Sequence, residues 1–253
     1  MNFYSQPFCF LETSFYQKAS EICMKSDSSS IQKPKRAHFM ERKPQFLFEP
    51  RKLHAIAKLG IGLPPEQAFK VITEAVAKEY PGYIETQHRW VFNIAGGAMG
   101  QMTLLHGSLR EYLILFGTCS GTSGHSGRYK AEVYDFVFNG EMICEYEGSF
   151  KREMHRPGSP AYLPLGQVKH YWIKEQSWML EYSRGNIISM IPFGLADNLS
   201  STLDHMTLFR TVWRYGRLVI RNLFKKGKDI DLIFKLVLVI LALVLSIRYL
   251  LPW

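Results

Sequence analysis

Two carboxylates stand where carboxylates are costly. Asp135 lies inside Val-Tyr-Asp-Phe-Val-Phe and Glu181 inside Trp-Met-Leu-Glu-Tyr, both short apolar runs of strand character. An isolated buried carboxylate is expensive, so such a group finds a partner or holds its proton. If Asp135 and Glu181 meet across a barrel, one proton can be shared between them, and a paired carboxyl of raised pKa is a suitable general acid and base in a dry cavity. The bland alternative is a pair of exposed strand-edge carboxylates.

Other chemistries find little support. The chain has no phosphate loop, no GxSxG elbow and no HExxH, and its eight histidines are scattered without metal-ligand spacing. Cys9, Cys23, Cys119 and Cys144 form neither a CxxC pair nor a disulfide framework and read as free thiols. The net charge of +9 would suit nucleic acid, yet the basic residues gather towards the two ends of the chain instead of alternating with stacking aromatics. A membrane surface is the better match, and no nucleic-acid partner is expected.

The elements that must position the two acids follow from periodicity. Helices are predicted over 49–59 and over 65–79, the second showing Phe69, Ile72, Val76 and Tyr80 at helical spacing. From Trp90 to Arg184 short β-branched runs are punctuated by glycine, as in an all-β barrel or sandwich. The clearest strand, 129–138, ends on Asn139-Gly140, a turn pair that predicts a hairpin into 142–146. Alternation puts Ala131, Val133, Asp135 and Val137 on one face of it.

Beyond Arg184 helical character returns. Asp204 can cap a helix running to about Lys226, with Arg210, Arg214, Arg217, Arg221 and Lys225 in one basic stripe opposite Phe209, Val212, Trp213, Val219, Ile220 and Leu223. Such a helix fits the plane of a membrane interface, or packs on a core as an ordinary amphipathic helix. Leu232 to Leu251 is almost wholly Leu, Val and Ile, and as a helix would span ~30 Å, with Lys225, Lys226 and Lys228 keeping the preceding domain cytosolic. Three regions are therefore expected: a flexible tail over 1–45 without a secretory signal, a folded domain over 46–226 whose 187–226 part adjoins the membrane, and a C-terminal transmembrane anchor over 230–253.

Several blocks resemble the family shared by sigma non-opioid receptors and fungal sterol C-8 isomerases: RWVFNIAGGAMGQMTLLHGSLREYLILFGT (89–118), GHSGRYKAEVYD (124–135), WMLEYSRG (178–185) and MIPFGLADNLSSTLDHMTLFRTV (190–212). The last block, with PAYLPLGQVKHY (160–171), looks closer to the isomerases, while the GRYKAE strand leans towards the receptors. The resemblance implies a mainly β fold, a cupin-like β-barrel with a closed apolar cavity, preceded by two helices and followed by membrane-associated ones. It further implies a homotrimer, residence in the endoplasmic reticulum membrane among its lipids, and no metal or other cofactor. Asp135 and Glu181 match the two acids that line the family's cavity, and Tyr112 the tyrosine beside the glutamate. Phe116, Val133, Leu163, Trp178 and Ala196, in these blocks, are the candidate substrate or ligand contacts. Both family branches carry an N-terminal membrane helix that residues 1–48 lack.

Two functions follow from the resemblance. One is a sterol isomerase that moves the nuclear double bond from position 8 to position 7 through a carbocation. The other is a sigma-like regulator that pairs the same carboxylate with cationic amines and turns nothing over. A structural membrane adaptor would leave the two acids unexplained.

Overall fold

The structure, a computed structural model, describes residues 46–225 together with Leu238 and Ala242. The tail expected over 1–45 and the anchor expected over 230–253 lie outside the described residues, apart from those two positions. Among the described residues no helix is long and apolar enough to cross a membrane.

Helix α1 (Pro50–Ala57) runs into a 3-10 turn (Lys58–Gly60), and α2 (Pro65–Glu79) follows. Proline at the start of each helix forgoes only an N–H that would have no intrahelical partner. Ten strands come next: β1 (Val91–Ala95), β2 (Ala98–Gly107), β3 (Glu111–Thr118), β4 (Thr122–His125), β5 (Ala131–Gly140), β6 (Met142–Tyr146), β7 (Glu153–His155), β8 (Pro160–Leu163), β9 (Lys169–Ile173) and β10 (Ser177–Gly185). A 3-10 turn (Ile187–Met190), α3 (Ile191–Asp197), a π turn (Asn198–Thr202) and α4 (His205–Lys225) complete the domain.

The strands form two sheets instead of the closed barrel expected, a six-stranded one in the order β1-β2-β3-β10-β5-β8 and a four-stranded one in the order β4-β9-β6-β7. The hairpin predicted at Asn139-Gly140 is not made, because β5 pairs with β10 and β8 whereas β6 pairs with β7 and β9. Gly140 is the point of departure. Its φ of +71° suits glycine, and a Cβ there would lie 1.9 Å from the Gln176 carbonyl oxygen, so the chain turns against β10 and passes to the other sheet.

Strand alternation divides the large sheet cleanly. Leu113 and Leu115 on β3, Phe136 and Phe138 on β5, and Trp178, Leu180 and Tyr182 on β10 pack with Leu53, Phe69, Ile72 and Val76 of the N-terminal helices. The opposite face presents Ile114, Phe116, Val137 and Met179 to Met142, Cys144 and Ile173 of the small sheet. One face is filled by helices. The other encloses space.

Glu111 ties the start of the domain to this frame. Its buried carboxylate accepts from the Leu47 N–H at 2.8 Å, the Phe48 N–H at 3.1 Å and the Tyr182 hydroxyl at 2.9 Å. Glu111→Gln replaces a charged acceptor of several donors by an amide with one oxygen, and should cost about 2 kcal/mol. A lowered thermal midpoint with unchanged ligand binding is the expected result; an unchanged midpoint would show the carboxylate to be dispensable.

Candidate functional site

Three neighbouring strands of the large sheet carry the polar centre. Glu181 on β10 is the direct cross-strand partner of Asp135 on β5 and lies one strand from Tyr112 on β3. The Tyr112 hydroxyl donates to Glu181 Oε1 at 2.5 Å. Asp135 is engaged from the other side, where Lys169, the first residue of β9, donates from Nζ to Asp135 Oδ2 at 2.6 Å. Both partners are buried, with side chains 3% and 7% exposed.

This arrangement replaces the shared proton that the sequence suggested. Among the described residues Asp135 and Glu181 share no hydrogen bond, and the Lys169 ammonium gives Asp135 an opposite charge instead. Two ionised carboxylates directly opposite on paired strands, ~5 Å apart, would otherwise repel by about 3 kcal/mol at an effective dielectric of ~20. Lys169 escaped the sequence reading. A signal was available, because alternation along β9 puts it on the inward face with Tyr171 and Ile173, while His170 and Trp172 are exposed.

The electrostatics separate the groups. Burial, reinforced by the Asp135 charge, pushes the Glu181 carboxyl up to about 7, against the opposing influence of the Tyr112 hydrogen bond and Lys169. Burial alone would lower the Lys169 ammonium, yet the Asp135 charge more than compensates and holds it above its ordinary range. Tyr112 is raised well above the usual phenol value by burial and by Glu181, and keeps its proton. A carboxyl titrating near neutrality, oriented by a phenol, can give and take protons at physiological pH.

These groups face a cavity of about 450 Å³, within the ~300–1,000 Å³ typical of sites that enclose small ligands. Its walls are almost wholly apolar. Val133, Leu163, Ile114, Phe116, Met142 and Met179 are among the residues lining the sheet side, and Ile187, Phe193, Leu195, Val212, Tyr215 and Val219 are among those contributed by the C-terminal elements. Asp197 secures α3 by accepting from the Gly97 N–H at 2.9 Å, and Asp204 caps α4 by accepting from the Thr207 N–H at 3.0 Å.

Of the residues singled out from the sequence, Glu181, Asp135, Tyr112, Val133, Leu163 and Phe116 converge on this cavity. Trp178 does not line it. Three residues from Glu181 on an alternating strand, it points to the helix side, where its ring lies 4.9 Å from Phe69 and 5.5 Å from Trp90. Ala196 is also outside, because α3 turns Ile191, Gly194 and Leu195 to the cavity at helical spacing and leaves Ala196 exposed.

The basic stripe on α4 is largely engaged with the protein. Arg214 donates to the Arg89 carbonyl at 2.7 Å, Arg217 pairs with Glu85 at 2.7 Å, and Lys225 reaches the Gly82 carbonyl. The outer surface of the C-terminal elements instead exposes apolar groups, among them Ile188, Leu199, Leu203, Met206 and Trp213.

Comparison with known proteins identifies relatives over most of the described domain. Residues 34–227 match the family model described as "ERG2 and Sigma1 receptor like protein". An erg2 homolog of Dictyostelium discoideum is 41% identical over 176 residues, 70% of this chain and 76% of that protein. The C-8 sterol isomerase of Neurospora crassa is 41% identical over 186 residues, 71% and 72% of the two chains. Sigma non-opioid intracellular receptor 1 of Gallus gallus is 41% identical over 175 residues, 68% and 79% of the two. Among solved structures, an RmlC-like cupin from Shewanella frigidimarina overlaps 40% of this chain and 85% of its own at 16% identity and a TM-score of 0.33.

Proposed function

Because the chain belongs to the family of ERG2 and Sigma1 receptor like proteins, we propose that it is a sterol C-8 isomerase working at a membrane of the endoplasmic reticulum. The observation that carries the reading is Glu181, a carboxyl inside an apolar cavity that accepts from the Tyr112 hydroxyl at 2.5 Å and is raised above its ordinary range by burial.

The reaction moves a double bond without redox change. A proton added at carbon 9 of a Δ8 sterol draws the π electrons into the new C–H bond and leaves a tertiary cation at carbon 8. Transfer of a proton from carbon 7 to the carboxylate so formed on Glu181 leaves the C–H electron pair to close the double bond between carbons 7 and 8. Glu181 in its protonated form is the donor, and its conjugate base lies beside the cation it has just created. A sterol filling this apolar cavity excludes water, and that electrostatic stabilisation is then large. Asp135 adds negative potential, moderated by Lys169. Phe116, Val133 and Leu163 hold the sterol rings by apolar contact.

A sterol reaches such a site from lipid. The apolar side chains exposed on α3, the π turn and α4 suit the surface of a bilayer, and the substrate's route lies between α3 and α4. Cationic amines mimic the carbocation and occupy the same cavity. The reading includes a homo-oligomeric assembly, which the family resemblance suggests.

A sigma-like binding protein would use the same charges, and the 41% identity to the chicken receptor equals that to the Neurospora isomerase. Turnover separates the two. Expressed in cells lacking their own C-8 isomerase, the chain should convert the accumulated Δ8 sterol to the Δ7 product. In heavy water that product should carry solvent deuterium at carbon 9. Persistent Δ8 sterol despite confirmed expression would overturn the isomerase reading, and product free of deuterium would overturn its acid mechanism.

A further inference from the structure

The ion pair between Lys169 and Asp135 does no obvious work in binding an apolar sterol. It occupies a wall of the cavity where hydrocarbon would pack at less cost, and buried ion pairs are often no more stable than apolar residues of the same shape. Its position explains it. Lys169 comes from the small sheet and meets the one acid that faces Glu181 across paired strands.

We propose that Lys169 is a positioning residue that sets the charge of the cavity: by closing an ion pair on Asp135 it leaves Glu181 to gain and lose the proton alone. The site then accommodates one positive charge at a time, on an amine or on a sterol cation. With Glu181 protonated, Lys169 and Asp135 cancel and the cavity is neutral, as an uncharged sterol requires. Once Glu181 has given up its proton, the cavity carries one net negative charge, matched to the single positive charge on the substrate.

The surroundings support this division. Besides Asp135 and Lys169, the titratable groups about Glu181 are Tyr112, Tyr129 and Tyr171, and burial raises all three and keeps them neutral. About Lys169 stand Cys144, pushed up to about 11 by burial, and Tyr146, also raised; both keep their protons. His155 is lowered by burial and then by Lys169, and so is neutral as well, with Glu153 3.7 Å from it towards solvent. His125 lines the cavity nearer α3, where its Nδ1 accepts from the Gly127 N–H.

The inference deepens the isomerase reading and rests on it for the sterol cation, yet it can be tested on binding alone. The probe is a quaternary long-chain N-alkyl-N-methylpiperidinium, whose charge does not titrate, bound to the full-length protein in lipid nanodiscs across about two pH units on either side of 7. In the wild type, Glu181 must ionise first, so affinity should rise about tenfold per pH unit below the midpoint. In Lys169→Met the Asp135 charge is no longer cancelled. Affinity at about pH 6 should then rise at least about tenfold and the pH dependence should flatten.

Lys169→Arg should keep the wild-type midpoint. Asp135→Asn/Lys169→Met, which removes the pair together, should restore the steep dependence to within about one pH unit of that midpoint. A merely structural lysine would lower affinity at every pH without changing the slope, and that result in Lys169→Met would overturn the proposal. If Lys169→Met does not fold, the double variant decides, and a midpoint displaced by more than about one unit counts against the proposal. Sterol turnover is measured separately. Absence of turnover with the expected pH behaviour would sink the isomerase reading and leave the charge-setting role; turnover with an unchanged slope would do the reverse.

Discussion

Glu181→Gln is expected to lower kcat/KM for the Δ8 sterol by at least about a thousandfold, since it removes both the transferable proton and the charge that stabilises the cation. Glutamine keeps the size of the side chain, and its carbonyl oxygen can still accept from the Tyr112 hydroxyl. The fold should therefore survive, with isomerisation and amine binding lost together. Full activity in this variant would remove Glu181 from the chemistry.

Stability offers an independent check on the same residue. With its folded value raised from 4.5 to about 7, Glu181 binds a proton more tightly in the folded than in the unfolded chain. The stability this contributes is fully present below the unfolded value and is lost as pH rises through the folded one, an effect of about 3 kcal/mol for a shift of that size. Wild-type stability should carry this decline between pH 4.5 and about 7. Glu181→Gln should lack it. Parallel pH profiles of the two proteins would mean that Glu181 is not held protonated by its surroundings.

The two acids were legible in the sequence because apolar neighbours along a strand leave a carboxylate little water. Lys169 lacks apolar neighbours on both sides, and the alternation that turns it inward with Tyr171 and Ile173 gives its face without giving Asp135 as its partner until the opposing sheet is in place. The sheet switch at Gly140 was hidden for a related reason. Asn-Gly favours a tight hairpin locally, and the long-range pairing of β5 with β10 outweighs that preference. The side of Trp178 could have been read from its odd spacing to Glu181. That of Ala196 could not, because the inward face of a short helix depends on what lies beneath it.

Asp135→Asn should be nearly as damaging as Glu181→Gln, for a different reason. It leaves the Lys169 ammonium buried without its anion, and breaking a buried pair in this way typically costs about 3–5 kcal/mol. Part of that loss is recoverable if Glu181 ionises and turns to Lys169, which draws its titration below the wild-type value of about 7. At neutral pH the proton donor is then spent, and the remaining carboxylate is occupied by an internal cation that excludes an amine. Activity should fall at least about a hundredfold at pH 7 and recover in part as the medium is made more acidic. The pH dependence of kcat/KM, measured with thermal unfolding on the same preparation, separates this from simple misfolding. An Asp135→Asn enzyme that unfolds at the wild-type temperature and keeps the wild-type pH midpoint would show that Asp135 and Lys169 do not act on Glu181 at all.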